Sequence, residues 1–131
     1  MCMASTRILV VEDEAIVTAD LRSKLERLGY IVCAVAFSGE DAIRQADETT
    51  PDLVLMDVRL QGSMTGFEAA ARIRKRREVP VVYITAHTRF LEDAVEAREK
   101  LLCLAKPFVP GELKKVLEAA LTTALDGSDR D

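Results

Sequence analysis

Five side chains that can bind a metal ion or an anion lie at the ends of short apolar runs of this sequence. They are three carboxylates, one hydroxyl and one amine: Glu12, Asp13, Asp57, Thr85 and Lys106. Asp57 follows four apolar residues in a row, Leu53–Met56, a pattern typical of a strand that is buried on both faces. An ionised carboxylate at the end of such a strand is costly to desolvate unless another group compensates its charge.

The chemistry of these five groups is that of phosphoryl transfer, provided that the fold brings them together. Carboxylates that lie close together repel one another, so the cluster favours a hard divalent cation with oxygen ligands, Mg²⁺ or alternatively Mn²⁺. Asp57 could then be a nucleophile, because aspartate forms acyl phosphates in some phosphoryl-transfer systems. Thr85 could donate a hydrogen bond to one phosphoryl oxygen, and Lys106 could pair with another.

Each of these residues taken alone also has an ordinary structural explanation. An Asp after a strand commonly caps a helix, a Thr often ends a strand, and Lys-Pro is usually part of a turn. A suitable group at each of four strand ends is far less common than any one of them. The joint pattern therefore favours a functional site.

The elements that must position these residues alternate between strand and helix. Apolar runs predict five strands, near residues 7–11, 30–36, 53–57, 79–85 and 102–105. Helical spacing predicts five helices, near residues 17–28, 38–46, 65–77, 90–100 and 110–125. This alternation predicts an α/β fold with a doubly wound parallel sheet between two layers of helices. Ligands of such sheets bind beyond the carboxyl ends of the strands, where all five side chains would share one rim.

Local signals mark where several helices begin and end. Gly29 is expected to end the first helix in a left-handed conformation. Thr65 and Glu68 have the spacing of a capping box at the start of the third helix. Four apolar residues of that helix are expected to face inward: Phe67, Ala70, Ala71 and Ile73.

Composition excludes several classes of protein. The net charge of −4 argues against general nucleic-acid binding, which needs a basic face. No apolar run is long enough to span a membrane, and the first residues lack the apolar core of a signal peptide. The three cysteines, an odd number in a chain without an export signal, are expected to be reduced thiols, which predicts a cytoplasmic protein.

The sequence resembles the receiver domain of two-component response regulators, the family that includes the CheY-like proteins. The matching stretches run in family order from about Arg7 to Leu125: Val10–Glu14, Pro51–Asp57, Met64–Gly66, Thr85-Ala86 and Lys106–Phe108. The resemblance implies a flavodoxin-like fold with strand order 2-1-3-4-5. It divides the chain into a disordered N-terminus (residues 1–6), a receiver domain (7–125) and a polar C-terminal tail (126–131).

The resemblance also implies a role for each candidate residue. Asp57 is expected to take a phosphoryl group from a histidine kinase or a histidine phosphotransfer protein. Asp13, Asp57 and the backbone carbonyl of Arg59 are expected to bind Mg²⁺, with Glu12 acting through water, while Thr85 and Lys106 hold phosphoryl oxygens. A receiver phosphorylates and dephosphorylates itself, so the chain is expected to be a signalling domain rather than a conventional enzyme.

Some positions depart from the family pattern. Cys103 stands three residues before Lys106, where the family usually carries an aromatic residue that reports phosphorylation. The loop Arg59–Thr65 lacks a frequent proline and is one residue longer. Arg59 and His87, two residues after Asp57 and Thr85 respectively, are expected to influence the attack of water on the acyl phosphate.

The expected partners follow from the same resemblance. A downstream protein is expected to bind the face formed by the fourth helix, the fifth strand and the fifth helix, and the chain is expected to be a monomer or a weak dimer on phosphorylation. Candidate contacts on this face are Arg98, Lys114, Lys115 and Glu118. The sequence favours a standalone regulator; the alternative is a receiver segment of a hybrid histidine kinase or of a regulator with an output domain.

Other functions of the same fold fit less well. A flavin carrier needs a phosphate-binding loop after the first strand, and Glu12–Glu14 would repel phosphate. A haloacid-type hydrolase needs an Asp two residues after its nucleophile, where Arg59 stands instead. A degenerate receiver that binds partners without phosphorylation remains a further alternative.

Overall fold

The computed structural model of this protein describes residues 6–60, 62–85, 103–105 and 110–127. Five strands form one parallel sheet in the order β2-β1-β3-β4-β5. They are β1 (Arg7–Val11), β2 (Ile31–Ala36), β3 (Leu53–Asp57), β4 (Val81–Thr85) and β5 (Cys103–Ala105). The described part of the chain contains four helices: α1 (Ala15–Arg27), α2 (Gly39–Thr49), α3 (Gly66–Arg76) and α4 (Pro110–Gly127).

The predicted α/β architecture with a parallel sheet is confirmed. The helix predicted near residues 90–100 lies outside the described residues, so the count of five helices stays a prediction. Residues 1–5, most of the segment predicted to be a disordered N-terminus, also lie outside them. Helix α4 ends at Gly127 and so extends two residues into the segment assigned to the polar tail, 126–131.

Two apolar layers cover the two faces of the sheet. Because side chains alternate along a strand, Leu9 and Val11 face one layer while Ile8 and Val10 face the other. The first layer is completed by buried residues of α2 and α3, namely Ala42, Ala46, Ala69, Ala70 and Ile73. The second is completed by buried residues of α1 and α4, namely Leu21, Leu25, Leu113, Leu117 and Ala120. Burial on both sides explains why the central strands are continuously apolar.

The predicted helix ends are confirmed in two places. Gly29 follows α1 with a φ of 96°, the left-handed conformation expected of it. At the start of α3, the Glu68 amide donates to Thr65 Oγ1 over 3.1 Å, and the Thr65 amide donates to Glu68 Oε1 over 2.9 Å. This is the complete capping box, which fixes the first turn of α3.

One prediction about α3 is wrong. Ala71 is exposed, whereas Ala69 is fully buried beside Ala70. Each residue of an α-helix is rotated by about 100° from the one before it, so a face that holds Ala69, Ala70 and Ile73 turns Ala71 towards solvent. A run of alanines carries no contrast in hydrophobicity from which that orientation could be predicted. No helix in the described residues is long and apolar enough to span a membrane.

Candidate functional site

Three carboxylates meet where β1 and β3 end. Glu12 and Asp13 follow β1 directly, and Asp57 is the last residue of β3. The two strands are adjacent and parallel, with Val11 in register with Met56, so their carboxyl ends coincide. Glu12, Asp13 and Asp57 each offer one oxygen, and these oxygens lie within 4.8 Å of one another. The fold therefore brings together three of the five residues that the sequence singled out.

The acidic cluster is largely withdrawn from water. Glu12 is fully buried and Asp57 is only 5% exposed, while Asp13 is partly exposed. Two unit charges separated by this distance repel each other by about 3 kcal/mol at an effective dielectric constant of about 20. The cluster consists only of hard oxygen donors, the set that suits Mg²⁺ or Mn²⁺. The donor set and the mutual repulsion together fit a bound divalent cation.

Main-chain amides orient two of these carboxylates. The Glu14 amide donates a hydrogen bond to Glu12 Oε2 over 3.1 Å. The Arg59 amide donates to Asp57 Oδ1, also over 3.1 Å. Each of these hydrogen bonds holds its carboxylate in one orientation.

Thr85 lies at the same rim, and Lys106 lies outside the described residues. Asp57 is in register with Ile84, and Thr85 is the next residue of β4. Thr85 is the last residue of that strand and is 1% exposed. Strand β5 ends at Ala105, in register with Thr85 and one residue before Lys106.

The loop after β3 connects the acidic cluster to α3. Val58 is buried, and its amide donates to the Ile84 carbonyl over 3.0 Å. The Gly66 amide donates in turn to the Val58 carbonyl over 2.9 Å. The start of α3 is thus bonded to the residue that follows Asp57. The sequence marks Gly66 only as part of a motif and does not predict this contact, because the contact depends on how α3 packs against β3.

The other candidate residues lie on α4, on β5 or outside the described residues. Lys114, Lys115 and Glu118 are exposed on α4, as a binding surface requires. Arg98 and His87 lie outside the described residues. The backbone of Cys103 is in register with Tyr83, whose ring packs on Phe67 with the ring centroids 4.9 Å apart.

Comparisons with known proteins agree on one family. The family model described as the response regulator receiver domain matches residues 8–118. Phyllosphere-induced regulator PhyR of Methylorubrum extorquens is 38% identical over 119 residues, which cover 89% of this chain and 44% of that protein. Transcriptional regulatory protein PdtaR of Mycobacterium tuberculosis is 36% identical over 129 residues, which cover 92% of this chain and 62% of that protein.

A solved structure shows the same fold. The crystal structure of anti-anti-sigma factor PhyR from Bartonella quintana superposes with a TM-score of 0.84 at 26% identity. The superposition covers 95% of this chain and 51% of that one. The chain thus spans about half the length of the relatives that it matches.

Proposed function

We propose, from the premise that this chain belongs to the response regulator receiver family, that Asp57 accepts a phosphoryl group from a phosphohistidine. The family is one of two-component signalling. The observation that carries the proposal is the buried position of Asp57, within 4.8 Å of the carboxylates of Glu12 and Asp13 at the carboxyl edge of the sheet. The mutual repulsion of these carboxylates destabilises the folded state, so their presence together points to a functional site.

The reaction that we propose is a displacement at phosphorus. A carboxylate oxygen of Asp57 attacks the phosphorus atom of phosphohistidine, an O–P bond forms and the P–N bond breaks. The histidine nitrogen keeps the electron pair of the broken bond and takes up a proton. The hydrogen bond from the Arg59 amide to Asp57 Oδ1 limits the rotation of the carboxylate, which supports an aligned attack.

Mg²⁺, or Mn²⁺ in its place, fits the acidic cluster. Asp13, Asp57 and the backbone carbonyl of Arg59 would hold the ion, with Glu12 acting through water. When bound, the ion supplies positive charge that neutralises the carboxylates and the phosphoryl oxygens. Glu12 would contribute a further carboxylate on this side of the rim, and its full burial fixes where that carboxylate lies.

Two further residues complete the proposed site. Thr85, buried at the end of β4, would donate its hydroxyl hydrogen to a phosphoryl oxygen. Lys106, which lies outside the described residues, would pair with another phosphoryl oxygen through its ammonium group. Both groups would stabilise charge on the transferred group rather than take part in bond formation.

The partners that we propose are proteins. A histidine kinase or histidine phosphotransfer protein would donate the phosphoryl group in the cytoplasm. A relative with this fold is described as an anti-anti-sigma factor, which supports a downstream protein target for this chain. That target would bind the surface that contains β5 and the exposed Lys114, Lys115 and Glu118 of α4.

Acetyl phosphate labelling tests this proposal. Wild type, Asp57→Asn and Asp52→Asn are incubated with Mg²⁺ and acetyl phosphate, and their intact masses are measured. Asp52 is a matched control, since it is an exposed acid that directly precedes the strand which Asp57 ends. We expect wild type and Asp52→Asn to gain one phosphoryl group and Asp57→Asn to gain none. Equal labelling of Asp57→Asn would reject Asp57 as the acceptor.

A further inference from the structure

We propose that Gly66 is a positioning residue for Asp57: the missing side chain lets the first turn of α3 lie directly against the backbone of the acceptor. The inference rests on the proposed function of Asp57. It adds that α3 sets the direction of the Asp57 carboxylate through a contact between two backbones.

The backbone of Gly66 makes this contact, because glycine has no Cβ atom. A Cβ atom at this position would collide with the Asp57 carbonyl oxygen and would lie 2.9 Å from its carbonyl carbon. It would also lie 3.0 Å from Cα of Val58. All three atoms belong to the main chain, so no change of rotamer can relieve the collision. Any residue larger than glycine must therefore move α3 and the end of β3 apart.

The end of β3 is held more firmly than the start of α3. Strand β3 lies between β1 and β4 in the sheet, and the Val58 amide extends this pairing through its bond to Ile84. The start of α3 is joined to it by the hydrogen bond from the Gly66 amide to the Val58 carbonyl. A methyl group at position 66 would thus lift α3, lengthen that bond and pull on the loop that begins at Arg59.

A shift of this loop would reach the carboxylate directly. The Arg59 amide orients Asp57 Oδ1, and the Arg59 carbonyl is one of the proposed metal ligands. To restore ordinary contact, the added carbon would have to move by roughly 1 Å, and a misplacement of that size can slow a reaction by about 100-fold. The loss of a hydrogen bond that orients a metal-binding residue weakens metal affinity by about 10-fold to 100-fold.

Gly66→Ala and two comparison variants test the inference. Gly111→Ala adds the same methyl group near the start of α4, where no described atom beyond the adjacent residues and the helix's own backbone lies within 4 Å of the added carbon. Thr65→Ala removes the hydroxyl that caps α3 but adds no atom near Asp57. The rate of labelling by acetyl phosphate is measured by mass spectrometry, the affinity for Mn²⁺ alone by electron paramagnetic resonance, and the free energy of unfolding by urea titration.

We expect Gly66→Ala to be labelled about 100-fold more slowly than wild type and to bind Mn²⁺ about 10-fold more weakly. Gly111→Ala should match wild type in both measurements. Thr65→Ala should lose stability while it keeps most of its Mn²⁺ affinity. Wild-type labelling and Mn²⁺ binding by Gly66→Ala would overturn the inference. The inference would also be overturned if Thr65→Ala, at the same free energy of unfolding as Gly66→Ala, lost as much labelling rate and Mn²⁺ affinity. Instability alone would then explain the losses.

Two results separate this inference from the proposed function. If wild type takes no label, the proposed function fails, and the Mn²⁺ affinities still decide whether Gly66 positions the carboxylates. If Gly66→Ala does not fold in buffer, it is refolded in trimethylamine N-oxide, an osmolyte that favours the folded state without removing the collision. Under those conditions, wild-type Mn²⁺ affinity would overturn the inference, and a weaker affinity would support it.

Discussion

The backbone amide of Arg59 donates a hydrogen bond of 3.1 Å to Oδ1 of Asp57, two residues earlier in the chain. The acceptor is therefore oriented by the main chain of its own loop, and the exposed side chain of Arg59 takes no part in this contact. A substitution at position 59 can change the surroundings of Asp57 while it leaves this hydrogen bond in place.

Arg59→Ala is predicted to shorten the lifetime of the phosphorylated state without preventing phosphorylation. The amide that orients Asp57 is kept, whereas a bulky cation beside the site is removed, so water gains access to the acyl phosphate. Loss of the phosphoryl mass is followed over time after acetyl phosphate is removed. We expect a several-fold faster decay than in wild type.

His87→Ala is measured in the same experiment, because the sequence predicts the same influence for His87, which lies outside the described residues. Arg72→Ala serves as the control, since it removes an exposed arginine from α3 well away from the loop that begins at Arg59. Wild-type decay in both Arg59→Ala and His87→Ala would show that neither side chain controls hydrolysis.

Glu12→Gln is predicted to raise stability in the absence of metal and to weaken the stabilisation by Mg²⁺. The substitution keeps the size of a fully buried side chain but removes one of three charges within 4.8 Å. The free energy of unfolding without metal should rise by about 1 kcal/mol, less than the full repulsion of about 3 kcal/mol because the buried amide must find new hydrogen-bond partners.

Urea titrations with and without Mg²⁺ measure both effects. A ligand that binds only the folded state stabilises it by about 2.7 kcal/mol at 100 times its dissociation constant, so a weaker site gives a smaller shift. Glu14→Gln is the control, since Glu14 is exposed and its amide, which bonds to Glu12, is unchanged. An identical Mg²⁺ shift in wild type and Glu12→Gln would contradict a metal role for Glu12.

Patterns along the chain were sufficient to predict the ends of the strands. Apolar runs that stop at Glu12, Asp57 and Thr85 predict both the parallel sheet and the rim where these residues meet, because the runs and their alternation with helical patterns are visible within the sequence itself. Contacts between elements distant in sequence were not predictable in this way. The approach of Gly66 to Asp57 depends on the packing of α3, and the exposed Ala71 depends on a rotation that alanines do not encode.

Asp47→Asn is predicted to reduce the loss of stability at acid pH. Arg76 Nε lies 2.9 Å from Asp47 Oδ1, a second guanidinium nitrogen lies 2.6 Å from Oδ2, and Arg77 contacts Oδ1 at 3.5 Å. These contacts join the last turns of α2 and α3. The hydrogen bond from Arg76, followed by the charges of both arginines, holds the pKa of Asp47 below its usual value.

The lowered pKa fixes the direction of the effect. A carboxyl group with a lower pKa in the folded state stabilises the protein above its unfolded pKa of about 3.9, and this stabilisation is lost as the pH falls through the folded pKa. Thermal unfolding is compared at about pH 5 and about pH 3, with Glu48→Gln as a control for an exposed pair within one helix. A fall in stability as large in Asp47→Asn as in wild type would contradict the prediction.

Tyr30→Phe is predicted to leave stability at neutral pH unchanged or to raise it by about 1 kcal/mol. Tyr30 is 3% exposed, and its hydroxyl has no hydrogen-bond partner among the described residues, so its removal abolishes an unsatisfied polar group.

Burial, and then the charge of Glu118 on α4, raise the pKa of Tyr30 above its usual value. The unfolded chain consequently ionises first, and wild type should lose stability as the pH rises above about 10. Tyr30→Phe should lose less, and Glu118→Gln should fall between the two in urea titrations at neutral and alkaline pH. A clear loss of stability in Tyr30→Phe at neutral pH would mean that the hydroxyl makes a stabilising contact.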